Sequence, residues 1–429
     1  MFSTALLSFS TLLSVSADST VVARVGLYSI TAAELQESFE FGPSFIRTSG
    51  GGRSPLRRHL EYMVYERLMA LKAKQLGYDT TEFVADRVAA LEEDLAVDEL
   101  YREEILSRIK ITEEELEEAV QKARIRIRFR WIYAKTSVEA DRLSGLTRKG
   151  ASFDSLFAVQ GEKERFLETT VLNLEKENPD LARELAGARS QEIRGPMSGS
   201  DGFYIVRIDE IWQNPIVTQS EEARLRNEVV RTLTSVMADR RAGEYVRREM
   251  QSVNPVIKAE GLNIVRAHLA ANGLSQERRK EWEIPETFMT EAGPRPISAL
   301  PEFLGKTLVT FGRMHFSVGD YLRWFEIRQF QLKTRSPEAF TSSIKRTIWK
   351  MVQDHLLSRK ASERGMHLRK SVDFERGIWE AKMLYLAGRS HFIRMIHIPD
   401  SAVRARYELE KRRTKEVKAF GEAEKGIRM

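Results

Sequence analysis

The sequence predicts an α+β protein, mostly helical, in which two copies of a helical module flank one small domain of sheet and helices. Three observations carry this. A run RIRIRFRWIYAKT from Arg124 alternates Arg124, Arg126, Arg128 and Arg130 with Ile125, Ile127, Phe129 and Trp131, the period of two of a strand. Long stretches on either side carry leucine, valine and methionine at three- and four-residue spacing, the pattern of amphipathic helices. Landmarks of the N-terminal part return in the C-terminal third at a nearly constant separation of about 287 residues, the mark of an internal repeat.

At 429 residues the chain exceeds one compact core, so two or more domains are expected. Charged residues make up 30% of it, which suits long solvent-facing helices. The net charge of +6 is spread over 68 basic and 62 acidic residues, weak ground for a nucleic-acid partner. Cysteine is absent, which excludes disulfides, thiolate metal sites, cysteine nucleophiles and a lipidated N-terminal cysteine. Phe2 to Val15 is apolar and serine-rich, and Val15-Ser16-Ala17 supplies small residues, so residues 1–17 read as a secretory signal peptide cut after Ala17, without the usual basic start. No later run approaches the ~18–20 apolar residues of a membrane span.

Residues 18–123 form the first helical module. Val21 to Gly26 reads as a short strand and turn. Thr31 caps a helix with Glu34 three residues on. Gly50-Gly51-Gly52 lacks the ending of a phosphate loop and reads as a flexible connector. The spacing of Leu60, Met63, Val64, Leu68, Leu71 and Ala73 predicts a helix from Leu56 to about Leu76 with that stripe inside, ended by Gly77. A second helix follows over Thr81 to Ile109, and Ile111-Thr112-Glu113-Glu114-Glu115 is another capped start. Residues 124–213 are the sheet-bearing domain, closed by a strand-like run from Phe203 to Ile211. Residues 214–254 carry a helix over Ser220 to Met250, with Leu225, Val229, Val230, Leu233, Val236, Met237 and Tyr245 on its inner side. Residues 255–305 read as a connector, with a strand suggested at Val256-Ile257-Lys258, a short helix up to Ala270, and a polar, proline-dotted stretch between Gly273 and Pro301. Residues 306–429 form the second module, where Gly312 answers Gly26, Asp354 answers Glu66, and Ile398-Pro399-Asp400 answers Ile111-Thr112-Glu113.

Within 124–213, Lys135-Thr136, Gly150-Ala151-Ser152-Phe153, Gly195-Pro196 and Gly202-Phe203-Tyr204-Ile205-Val206 stand in the order and spacing of a parvulin-type peptidyl-prolyl isomerase domain, which this stretch resembles. The resemblance implies an antiparallel sheet dressed with helices. It sets Trp131 and Tyr204 where the family has its two histidines, so no catalytic residue carries over. The strand, turn and Ile30-Thr31-x-x-Glu34-Leu35 opening is similar to that of SurA-like periplasmic foldases, in which the helix after the isomerase domain packs on the N-terminal module.

The resemblance makes Trp131, Tyr204, Phe153 and Met197 candidate peptide-binding residues; the alternative is that aromatic rings fill a defunct pocket. Trp324 and Phe325, in an aromatic run, are candidates for a client groove or for the interior of the second module. The arginine ladder reads as a wet sheet face. The seven histidines make no ligand pattern, and no metal or cofactor is implied. Three functional readings stand. The first is a periplasmic chaperone-foldase that binds unfolded or nascent secreted and outer-membrane polypeptides, with little or no isomerase activity. The others are an active peptidyl-prolyl isomerase and a structural assembly protein without client activity. The oligomeric state is open.

Overall fold

The structure, a computed structural model, describes residues 20–26, 28–41, 55–159, 166–199, 202–215, 218–291 and 293–413, with 420 and 423. The predicted signal peptide, the glycine run at 50–52 and most of the stretch beyond 413 lie outside these residues. In chain order the main elements are β1 (Val21–Val25), β2 (Tyr28–Thr31), α1 (Ala32–Phe41), α2 (Pro55–Gln75), α3 (Glu82–Glu104), α4 (Glu113–Arg124), β3 (Ile125–Ala134), α5 (Ser137–Arg148), α6 (Phe153–Val159) and β4 (Phe166–Thr170). Then come α7 (Val171–Glu177), α8 (Pro179–Glu184), β5 (Ile193–Ser198), β6 (Phe203–Gln213), α9 (Gln219–Val253), β7 (Val256–Ile257), α10 (Ala259–Gly273) and α11 (Gln276–Glu281). The last are the short strands β8 (Met289–Thr290) and β9 (Gly293–Pro294), α12 (Pro301–Leu304), β10 (Thr307–Phe311), β11 (Met314–Ser317), α13 (Val318–Arg328), α14 (Pro337–Glu363), α15 (Lys370–Met395) and α16 (Asp400–Arg413). The protein is thus mostly helical with small antiparallel sheets, as expected of an α+β chain. It divides into two compact units, one of Tyr101–Arg248 and one of the chain up to Leu100 together with Glu249 onward.

The Tyr101–Arg248 unit is built on a four-stranded antiparallel sheet of order β4-β3-β6-β5. Its first and last strands, β3 and β6, lie side by side at the centre, paired from Ile125↔Gln213 to Ala134↔Phe203. One apolar layer joins Ile127, Phe129, Val206 and Ile208 to Leu174 and Leu185 of the α7–α8 segment. The opposite face joins Ile132, Ala134 and Ile205 to Ala140 and Leu143 of α5 and to Phe153 and Phe157 of α6. The alternation in β3 therefore separates two covered faces rather than one wet and one dry. The arginines occupy only one end of the second face.

A shift of pairing between Arg128↔Glu210 and Phe129↔Ile208 leaves Asp209 as an extra residue in β6. Because side chains alternate every residue, that insertion brings Ile208 and Ile211 to the same apolar layer. Thr112 opens α4 with a full capping box, its side chain accepting from the Glu115 amide while Glu115 reaches back. The N-terminal half of α9 covers α4 through Leu225, Val229 and Leu233 against Leu116, Ala119 and Val120.

The second unit contains the repeated landmarks. In β1–β2, Val21 pairs Thr31 and Ala23 pairs Ile30, with an irregularity between Val21 and Ala23. In β10–β11, Thr307 pairs Ser317 and Val309 pairs Phe316, with the irregularity at the corresponding place. The hairpins turn on Gly26 (φ 58°) and Gly312 (φ 57°), a left-handed conformation that costs a residue with a Cβ about 1–2 kcal/mol. Thr31 accepts from the Glu34 amide at 3.1 Å and Ser317 from the Asp320 amide at 3.1 Å. Farther on, Gly77 (φ 78°) lies just past the end of α2 and Gly365 (φ 69°) just past that of α14, each followed by one 3-10 turn and a long helix.

Those long helices pair crosswise. α2 packs on α15 through Ala70 and Ala73 against Ala381, Leu384 and Ala387. α3 meets the end of α14 through Ala96 and Leu100 against Ala361 and Met366. The α2–α15 crossing is close: a Cβ at Gly388 would stand 3.1 Å from the Ala73 Cβ and 3.2 Å from the Met69 carbonyl oxygen. The stripe expected for α2 holds in part: Met63 and Ala73 are buried and Leu60, Val64 and Leu71 half-buried, while Leu68 is exposed. His59, Arg67 and Ala70 complete the buried side, with the small Ala70 and Ala73 where α15 crosses.

The largest core of this unit joins Phe311, Tyr321, Phe340, Ile344 and Ile348 to Val265, Trp282, Ile284 and Phe288. The last four lie in the stretch 255–305 expected to be a connector, which is instead folded onto the second hairpin. β7 extends that hairpin as a third strand through Val309↔Ile257. The prolines and charges of 273–301 cover a few large apolar residues, all of them inside.

Candidate functional site

Strands β3, β6 and β5 set four side chains, Trp131, Tyr133, Tyr204 and Met197, on the α7–α8 face of the sheet. Trp131 stands opposite Val206, Tyr133 opposite Tyr204, and Met197 of β5 opposite Tyr204 on its other side. The Tyr133 and Tyr204 rings lie 5.5 Å apart, and Trp131 lies 6.1 Å from Phe129. All four are half-buried. Trp131, Met197 and Tyr204 pack on the layer of Phe129, Val206 and Ile208, with Leu181, Ala182 and Ala188 beside them. The turn before β6 fits these rings closely, since a Cβ at Gly202 would stand 2.5 Å from Tyr133 Cε2 and 2.7 Å from the Ala134 carbonyl oxygen. A side chain at residue 202 would displace the Tyr133 ring.

The sequence-derived candidates therefore separate. Trp131, Met197 and Tyr204 share this face. Phe153 lies on the opposite face, 3% exposed, stacked 6.2 Å from Phe157. Trp324 and Phe325 belong to the other unit, half-buried on α13, where both pack near Phe330 and against Tyr321. Tyr133 was missed by sequence reasoning, although it continues the odd-numbered series of Trp131 and the alternation alone marks it.

The arginine end of the other face is occupied by acids of the same unit. Arg130 donates from Nε and Nη2 to Asp209 at 2.8 Å each, and from Nη1 to Asp154 at 2.8 Å. Arg207 donates to Asp154 at 2.7 Å and to Gln191 at 2.7 Å. Glu168 accepts from Arg126 and Arg128, each at 2.8 Å. The hydrogen bond from Arg207, with that from Arg130, holds the Asp154 carboxyl below its ordinary range, and Arg128 does the same for Glu168. Paired in this way, the ladder has little charge left for a phosphate backbone.

What the aromatic face can do chemically is limited. Trp, two Tyr and Met present broad, polarisable apolar surface with hydroxyl edges, suited to contact with peptide side chains. None of the four is a histidine or a carboxylic acid, the side chains most used for proton transfer near neutral pH. Among the described residues no group of His, Asp and Glu could hold a metal ion. No described helix is long and apolar enough to cross a membrane.

No family model matches the chain, and no curated protein matches it. Solved structures do. The peptidylprolyl isomerase PrsA of Bacillus cereus is 15% identical, with 52% of this chain and 87% of that one covered and a TM-score of 0.22. The foldase protein PrsA of Streptococcus pneumoniae is 12% identical over 52% of this chain and 91% of its own, with a TM-score of 0.23. PrsA of Bacillus subtilis is 15% identical over 53% and 91%, with a TM-score of 0.18. These neighbours carry the name PrsA rather than SurA. At such TM-scores the chains do not superpose as wholes, and no activity of this protein follows from them.

Proposed function

We propose that this chain is an extracytoplasmic chaperone-foldase that holds unfolded polypeptides, and that its sheet unit is a parvulin-type domain turned from isomerisation to contact. The observation that carries this reading is the shared face of Trp131, Tyr133, Met197 and Tyr204. Two of these, Trp131 and Tyr204, stand where the family resemblance sets histidines, and none of the four is a histidine or a carboxylic acid. Half-buried aromatic rings beside a flexible methionine form a tolerant surface, the kind that binds many sequences weakly. The helical unit, in this reading, is a duplicated module whose copies pair crosswise through α2–α15 and α3–α14, with the sheet unit inserted after the first copy. The apolar start up to Ala17 supports export, with secreted or outer-membrane polypeptides as clients.

The test is dilution of a urea-unfolded model protein into buffer containing the full chain. Light scattering falls at equimolar chaperone, and Trp131→Ala with Tyr204→Ala together weaken that protection several-fold. Unchanged scattering at several-fold excess would sink the reading. In a parallel cis/trans assay on a proline peptide, the expected acceleration is none; catalysis lost on changing Trp131 or Tyr204 would make the protein an isomerase instead.

A further inference from the structure

The helical unit contains a cleft that the sheet face does not explain. It lies between α3, the end of α13 and α15, has a volume of about 210 Å³, and is walled by Val88, Leu91, Ile327, Trp379 and Met383. Clefts that take drug-sized ligands or cofactors run to roughly 300–1,000 Å³, so this one has room for about one side chain. Trp379 is 44% exposed and offers its ring to whatever enters.

The charges around the cleft are unequal. Arg328 is paired with Asp94, and Lys350 with Asp354 at 2.6 Å. Arg87 is different. Its guanidinium lies 4.2 Å above the Phe83 ring and donates one bond to the Phe83 carbonyl oxygen at 3.2 Å, with no carboxylate partner among the described residues. Stacking fixes the guanidinium plane and leaves its remaining N–H donors for a carboxylate, which a planar fork binds with two hydrogen bonds. Apolar walls beside one uncompensated, oriented cation define a ligand with an apolar group next to a negative one.

We propose that this cleft is a second client-reading site, which takes one apolar side chain of an extended polypeptide while a neighbouring acidic side chain of that polypeptide pairs with Arg87. The proposal rests on the chaperone reading for its biological ligand, but its chemistry can be tested separately. The probes are two fluorescein-labelled Ser/Gly decapeptides with central Phe-Glu or Phe-Lys, titrated with the full chain and followed by anisotropy. The Phe-Glu peptide binds at least several-fold more tightly; Arg87→Glu reverses the order, Arg87→Gln abolishes the difference, and Trp379→Ala weakens both peptides. Both positions are at the surface, and unchanged thermal melting of the variants checks their folding.

Equal binding of the two peptides, no binding of either, or a preference unaltered in Arg87→Glu would overturn the proposal. So would self-association of the wild type that Arg87→Glu abolishes, which assigns the cleft to a second copy of the chain. Peptide discrimination without protection from aggregation removes the chaperone reading and keeps the cleft; the reverse removes the cleft alone.

Discussion

The two hairpin-and-helix segments of the helical unit share their local geometry and differ in what surrounds it. Both turn on a glycine near φ +57°, both carry an irregularity at the corresponding pair, and both lead into a helix capped by a hydroxyl. The first hairpin has two strands and a small buried group of Ile30, Leu35 and Met63. The second packs with β7, α10 and the folded stretch after it, and its Phe311 and Tyr321 sit in the largest core of the unit. The comparison teaches that turn and cap are set locally, whereas burial is set by what the rest of the chain brings.

Four substitutions test that division, in two pairs, the pair with the larger effect first. Phe311→Ala removes a ring from the large core and costs about 3–5 kcal/mol, whereas Leu35→Ala in the small group costs about 2 kcal/mol, the low end for its type. Urea melts of the two variants check the order, and equal losses would mean that the surroundings matter less than the shared hairpin. Next come the turn glycines. Gly312→Ala costs about 1–2 kcal/mol from backbone conformation alone, since nothing lies closer than 3.8 Å to the new Cβ. Gly26→Ala costs more, because its Cβ would stand 2.8 Å from Leu71 Cδ1. Indistinguishable melting temperatures would show that Leu71 yields freely.

The smallest effect is one of pH. Burial raises the Asp354 carboxyl above its ordinary 3.8, against the pull of Lys350. A carboxyl raised in the folded state contributes stability below its unfolded pKa, and that contribution disappears as the pH climbs through the folded value. Asp354→Asn therefore gains on the wild type as pH rises above 3.8 through the carboxylate range. Melting temperatures across that range check the direction; a gap that closes with rising pH would reverse the sign.

What was legible in the sequence follows the same local-versus-distant rule. Thr31, Thr112, Gly77 and the alternation of β3 were readable because each depends on residues within a turn or two. The buried face of α2 was only partly readable: Met63 and Ala73 were in the expected stripe, but Ala70 was not and Leu68 is exposed, because the crossing helix α15 comes about 300 residues later. Trp282, Ile284 and Phe288 escaped notice because isolated large residues in a polar stretch show no period. In the sheet, the positions of Trp131 and Tyr204 were readable from spacing. The extra residue at Asp209 was not, and neither was the separation of Phe153 onto the other face, since both depend on how strands pair.

The crossing of α2 on α15 also bears on how the protein is made. Ribosomes add roughly 5–20 residues per second, so about 300 residues of synthesis, tens of seconds, separate one helix from its partner. During that interval Ala70, Ala73 and the apolar side chains around them have no α15 to cover them. A protein read here as a guardian of unfinished chains thus begins as one, dependent on whatever shelters its own early helices until the late ones emerge.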